Sequence, residues 1–179
     1  MITVIDDWLS GEEVSGILKV VGDEVFSNWG EFPLYFQPFV ATPADNQFNG
    51  FFTHLFYDAG NPASDHRWII DDIVYPKYLN MGDDIIKRKT KLNDVKVNVF
   101  TRTNELETFG FHSDLFGAEH NSLVYFLNDC DGYLLFDDGS KIRQKSNRVV
   151  IITDGHNYKH ASTSTTDTKV RANINMVLS

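Results

Sequence analysis

Hydrophobic residues recur along this chain with two different periods, and the change falls near residue 94. Before it, Thr3-Val4-Ile5 reads as a short strand followed by a turn. Ser10 and Glu13 then have the spacing of a capping box. Val14, Ile17, Leu18, Val21 and Val25 lie on one stripe of a helix, predicted over about residues 11–26. Residues 27–65 are aromatic and rich in turns. Phe32, Tyr35, Phe36, Phe39, Phe48, Phe51, Phe52, Phe56 and Tyr57 sit among Pro33, Pro38, Pro43 and Pro62, which predicts short strands and loops. Residues 66–90 read as helical with Pro76 in the middle, so two helices or one kinked helix are expected. That stretch ends near Lys87-Arg88-Lys89, cations that suit a solvated helix C-terminus better than a binding patch.

From residue 94 the period is two. Val95, Val97 and Val99 alternate with Lys96, Asn98 and Phe100. Ser122 to Leu127, Tyr133 to Phe136, Val149 to Ile152 and Val170 to Leu178 add four more strands by their β-branched and aromatic content. Short strands separated by turn signals predict a sandwich or barrel. The fold class is therefore mainly β with flanking helices. One domain is expected over residues 1–179, with N-terminal helices and covering strands over 1–93 and the β core over 94–178.

Size and composition narrow the picture. A chain of 179 residues holds one domain with a real core, and 14 Phe residues supply bulk to fill it. The formal net charge of −9 and the lack of a basic run disfavour nucleic acid as a partner. The single cysteine, Cys130, allows neither an internal disulfide nor a paired-cysteine zinc site, and it reads as a small buried thiol. The start of the chain has no basic segment followed by an apolar run, and no stretch has the length of a membrane span. The expectation is a soluble, cytoplasmic protein in a reducing setting, without a membrane partner. No feature specifies an oligomeric state.

Candidate chemistry is concentrated after residue 110. His112 and Asp114 are two residues apart, so on extended backbone both side chains reach the same side. His160 must come from another strand. Two imidazoles and one carboxylate suit ferrous iron and leave positions open for other ligands. Arg171, Asn173 and Asn175 alternate with Val170, Ala172, Ile174, Met176 and Leu178. That strand has a polar face, read here as the wall of a wet cavity rather than a solvent face. Arg171 is suited to hold a carboxylate through paired hydrogen bonds. His156 competes with His160 as the distal ligand, and His160 is preferred for the small residues after it and its distance to Arg171. His54, His66 and His120 have no comparable partners, and His120 reads as a loop histidine.

These residues resemble the prolyl-4-hydroxylase-like branch of the 2-oxoglutarate/Fe(II) oxygenase superfamily, over roughly residues 94–178. His112-Ser113-Asp114 stands at the HxD motif, and Ser122 to Asn128 resembles the T-x-x-x-Y-L-N strand. Asp131 to Phe136 resembles the G-G-x-x-x-F segment, with Asp131 replacing one glycine. His160-Ala161-Ser162 and Arg171 stand at the distal histidine and the cofactor-anchoring basic residue. The resemblance implies a double-stranded β-helix, or jelly roll. It implies Fe(II) on His112, Asp114 and His160, with 2-oxoglutarate as co-substrate and O2 as oxidant. Arg171 would pair with the far carboxylate of 2-oxoglutarate, and hydroxylation of a C–H bond would release succinate and CO2. Two tyrosines of the family are Phe126 and Phe100 here. Asn98, Asn173 and Asn175 are candidates to replace their hydroxyls, and another 2-oxo acid stays open as the co-substrate.

Two other function classes stand beside the hydroxylase. One is a non-catalytic β-barrel binding module with a vestigial metal site, which predicts ligands retained beside a missing pocket. The other is a different metal enzyme on a cupin-like barrel, which predicts a three-histidine set that this chain lacks. The substrate class is a protein side chain such as proline, a free amino acid or a small metabolite. The aromatic segment 32–62 is a candidate lid or substrate wall.

Overall fold

A computed structural model describes residues 1–22, 32–41, 50–115 and 117–179. The chain runs through β1 (Ile2–Ile5), α1 (Gly11–Val21), β2 (Tyr35–Gln37), β3 (Phe51–Asp58) and β4 (Asn61–Pro62). A π-helical stretch, Ile69–Val74, then leads into α2 (Tyr75–Leu79), and α3 (Asp83–Ile86) follows. The C-terminal half carries β5 (Leu92–Thr101), β6 (Asn121–Phe126), β7 (Tyr133–Phe136), β8 (Lys141–Arg143), β9 (Val149–Ile152), β10 (His160–Ser162) and β11 (Val170–Leu178). No helix among the described residues is long and apolar enough to cross a membrane.

Two antiparallel sheets face each other. The major sheet has the order β1-β9-β6-β11-β5-β3-β2, with β4 paired to β3, and the minor sheet has the order β10-β7-β8. Strand parity sorts the side chains of the major sheet. Val95, Val97 and Val99 of β5 and Ala172, Ile174 and Met176 of β11 point to the helix side, where they pack with Ile17, Val21, Ile70, Val74 and Tyr78. On the other face, Val124 and Phe126 of β6 meet Leu134 and Phe136 of β7 and close the space between the sheets. This is the mainly β arrangement with flanking helices read from the sequence. The first 93 residues also supply strands to the major sheet itself: β1 forms one edge, and β3 and β2 extend the other.

Local sequence explains the helical boundaries. Ser10 caps α1, with Glu13 N–H donating to Ser10 Oγ at 3.3 Å and Ser10 N–H to Glu13 Oε2 at 2.7 Å. The helix stops at Val21, before the predicted residue 26, because Gly22 turns away at φ +118°. Residues 23–26 lie outside the described residues, as does the part of the aromatic segment holding Pro43 and Phe48. Pro76 does not break its helix. It lies where the π-helical Ile69–Val74 passes into α2, and the helical run ends at Asn80, before Gly82. Lys87 and Lys89 form exposed ion pairs with Asp154 and Glu119, in keeping with a solvated helix end. Cys130 is buried.

Asn147 ties the first strand-to-helix connection to the β core. It adopts φ +58°, donates from Nδ2 to Leu9 O at 2.9 Å and accepts at Oδ1 from Leu9 N–H at 2.9 Å. Asn is one of few residues that takes this conformation readily. Asn147→Ala is expected to lower stability by about 2 kcal/mol or more, from three unmade hydrogen bonds, the third donated by the Tyr125 hydroxyl, and backbone strain. A lower urea midpoint at unchanged slope would show it. An unchanged midpoint would contradict it.

Candidate metal centre

One antiparallel bridge holds the two histidines. His112 N–H donates to His160 O at 2.9 Å, and His160 N–H donates to His112 O at 3.0 Å. A pair that exchanges both bonds presents its side chains on the same side. The two rings accordingly lie 4.8 Å apart. His160 is the first residue of β10, whereas His112 is an isolated bridge position and Asp114 lies in the bend after it. The expected extended strand end is thus a single bridged residue and a turn, and the two side chains still converge. One ligand atom each from His112, Asp114 and His160 falls within a 4.8 Å cluster.

Hydrogen bonds orient each member. His112 Nδ1–H donates to Gly110 O at 3.1 Å, which leaves Nε2 with a free lone pair 3.9 Å from Asp114 Oδ1. His160 Nε2 lies 3.7 Å from Asp114 Oδ2. Ser122 Oγ donates to Asp114 Oδ2, and Asn175 Nδ2 approaches Oδ1 at 3.5 Å. Burial by itself raises the Asp114 carboxyl. The neighbouring His160 and His112 rings and the Ser122 hydroxyl outweigh it, so Asp114 stays below the usual carboxylate range. Burial lowers His160, which keeps its imidazole neutral and able to coordinate. A carboxylate and two neutral imidazoles are a donor set that fits ferrous iron.

Arg171 is on the same concave face, four residues up β11 from Asn175. It is fully buried. Nη1 donates to Thr163 O at 3.1 Å, while Nε and Nη2 have no partner among the described residues. Its guanidinium carbon lies 5.2 Å from the Phe100 ring centre and 5.8 Å from that of Phe126. The two phenylalanines noted in the sequence therefore flank the cation with ring faces. Burial brings the Arg171 pKa down to about 10, so the group is charged at neutral pH. Gly132 allows the approach, since a Cβ there would lie 2.5 Å from Arg171 Cδ and 2.7 Å from Ser164 O. A buried cation with two unused donors fits an anionic ligand.

Asn98 and Asn173 sit between these two ends. They line the cavity at the metal cluster and share a long hydrogen bond of 3.4 Å. The cavity itself measures ≈ 30 Å³. That is room for an ion and little more. Phe51, Phe100 and Phe109 stack beside it, with Phe51 and Phe100 ring centres 5.3 Å apart.

His156 lies apart, in an exposed turn beside Asn157. His120 lies in irregular backbone, as the loop reading has it. It is fully buried against Gly155 just before β6. His54 and His66 pack around Phe32, and His54 Nε2 meets Ser64 Oγ at 2.7 Å. Sequence reasoning missed the support that Ser122 and Asn175 give to Asp114. Their only signal was Ser122 at a motif position and Asn175 on the polar face of the last strand.

Fold and site together define a double-stranded β-helix with a His–Asp–His cluster between its sheets. Solved structures similar to this chain are 2-oxoglutarate–Fe(II) oxygenases, prolyl hydroxylases among them. A Burkholderia pseudomallei oxidoreductase of the 2OG-Fe(II) oxygenase family superposes with a TM-score of 0.73 at 10% identity, over 99% of this chain and 84% of that one. HygX from Streptomyces hygroscopicus, with nickel and 2-oxoglutarate bound, gives 0.63 at 11% identity over 99% and 82%. A Trichoplax adhaerens prolyl hydroxylase in complex with a hypoxia-inducible-factor peptide fragment gives 0.62 at 11% identity over 99% and 82%. No protein-family model and no curated sequence matches the chain.

The geometry predicts a loss of divalent-metal affinity of about a hundredfold or more in Asp114→Ala and His160→Ala, and none in His156→Ala. Calorimetric titration with Mn(II) measures it. Equal losses in all three variants would contradict the assignment.

Proposed function

We propose that the chain is an Fe(II)- and 2-oxoglutarate-dependent dioxygenase that hydroxylates a small molecule or a peptide side chain such as proline. The observation that carries this reading is Arg171, a buried guanidinium with two unused donors on the strand face that also serves the metal cluster. Such a group is costly unless an anion completes it. When bound, iron with 2-oxoglutarate and O2 supplies oxidative decarboxylation to succinate and CO2, coupled to hydroxylation of a C–H bond.

The roles of the chain's own residues follow from their positions. His112, Asp114 and His160 hold the ion and leave its remaining positions free. Ser122 and Asn175 fix the Asp114 carboxylate so that its oxygens face the histidines. Arg171 receives the far carboxylate of the co-substrate through Nε and Nη2. Asn98 and Asn173 offer amide groups along the way. Phe100 and Phe126 keep water from the guanidinium and strengthen its attraction for an anion. The present cavity is too small for a five-carbon acid, so lining side chains such as Phe51 and Phe100 would shift for one to enter.

That small cavity is also what favours the second reading, a binding module with a vestigial site. Purified protein with Fe(II), 2-oxoglutarate and air separates the two. Succinate release that falls at least a hundredfold in His112→Ala supports the dioxygenase. No succinate from the unaltered protein, or equal release from His112→Ala, supports the module.

Arg171 gives an independent prediction. Replacing an unpaired buried cation by an apolar side chain removes a desolvation cost. Arg171→Met is expected to raise the stability of the ligand-free protein by about 1–3 kcal/mol while abolishing stabilisation by 2-oxoglutarate. A purely structural arginine would instead destabilise when removed. Thermal unfolding with and without 2-oxoglutarate reads both effects.

A further inference from the structure

The concave face carries a second cation, which the reading above does not use. Lys96 on β5 pairs in register with Asn175, and Phe100, two rungs further along β5, pairs with Arg171. Positions 171 and 175 are separated by about 13 Å of strand, at ~3.3 Å per residue. The two cations thus stand at opposite ends of the polar rows, with Lys96 at the metal end. Lys96 lines the cavity at the cluster and is half-buried. Its charge acts on Asp114. Lys87, Lys89 and Lys145 each pair with a carboxylate. Lys96 makes no ion pair or hydrogen bond among the described residues.

Charge and shape both bear on what Lys96 is for. With a divalent ion and a dianionic co-substrate in place, Asp114, Arg171 and Lys96 leave the centre one positive charge in excess. A monoanion would neutralise it. Outward from Lys96 the same face continues to Leu55 and Thr53 on β3 and then to Tyr35 on β2. Tyr35 is 62% exposed. Lys96 itself lines the cavity at the cluster and is joined to a second one through its β-partner Leu55. Leu55, Thr53 and Tyr35, together with His54, Asp65 and His66, line this second cavity of ≈ 440 Å³ at the sheet edge. That is the size of an organic ligand site, unlike the space at the cluster. A single lysine is a point charge, and a carboxylate, unlike a doubly charged phosphate, matches the one excess charge.

We propose that Lys96 is the specificity-determining anchor for the primary substrate, an organic acid whose carboxylate meets the Lys96 ammonium and whose body lies over Leu55, Thr53 and Tyr35. The proposal rests on the dioxygenase reading for the word substrate. The anion site itself is testable without turnover.

The experiment uses nitrogen-15-labelled, Zn(II)-loaded protein saturated with 2-oxoglutarate, titrated with benzoate and separately with benzamide. Saturable shifts of the Lys96 and Leu55 amide resonances are expected with benzoate at millimolar concentration, and at least tenfold weaker binding with benzamide. Lys96→Gln should weaken benzoate at least tenfold, and Lys96→Arg should restore it to within about threefold. Equal binding of benzamide, unchanged binding in Lys96→Gln, shifts centred on Arg171, or no saturable benzoate binding would each overturn the proposal. Succinate release by the Fe(II) form is measured beside it. Succinate without benzoate binding overturns the Lys96 proposal alone. Benzoate binding at Lys96 without succinate overturns the dioxygenase reading and leaves the anion site standing.

Discussion

Side-chain parity along β11 is the constraint on which the other features depend. Its even-numbered residues, Val170 to Leu178, enter the core under the helices, and Arg171, Asn173 and Asn175 enter the space between the sheets. Every residue of the strand is buried, so both faces are committed. A one-residue slip would drive Arg171 into the apolar core and place Ile174 beside the metal cluster. Pairing on both edges, to β5 and to β6, prevents this. The same register brings Asn175 to Asp114 and sets Arg171 between Phe100 and Phe126.

The polar groups so enclosed are arranged for a ligand more than for stability. Among the described residues Arg171 leaves two nitrogens without a partner in a fully buried position, and His120 Nε2 and Asn175 Oδ1 lack one elsewhere in the interior. Asp114 is held ionised by the histidines beside it although burial opposes this. A buried cation without a partner is destabilising, and proteins keep such groups where function needs them. The reciprocal His112–His160 bridge sets the two imidazoles side by side through backbone bonds. Completion of the charge balance by an ion and an organic acid would stabilise the folded state by mass action.

Much of this was legible in the chain. Val95, Val97 and Val99 and the β11 alternation show period two because each strand has one apolar and one polar face. The Ser10–Glu13 capping box is a local device and reads directly. The aromatic stretch before residue 65 predicts strands but not the bounds of the eight-residue β3, since Phe51 and Phe52 are both apolar although they face opposite sides of the sheet. β8 and β10 have three residues each, too few to carry a period. Pro76 marks the change from π to α geometry in one helical run, and the break falls later, between Asn80 and Gly82. The order of His112, Asp114, His160 and Arg171 was visible, but their convergence depends on long-range pairing. The place of Lys96 could not be read from alternation alone, which gives its face and not what lies across from it.

On the proposed reading iron sits on His112, Asp114 and His160, and a 2-oxo acid reaches from it past Asn173 to Arg171. Anaerobic titration of the Fe(II)-loaded protein with 2-oxoglutarate tests it most directly. A weak visible metal-to-ligand charge-transfer band that saturates with 2-oxoglutarate and is missing in Asp114→Ala is expected. No band at saturating iron and co-substrate, or an unaltered band in Asp114→Ala, would contradict it.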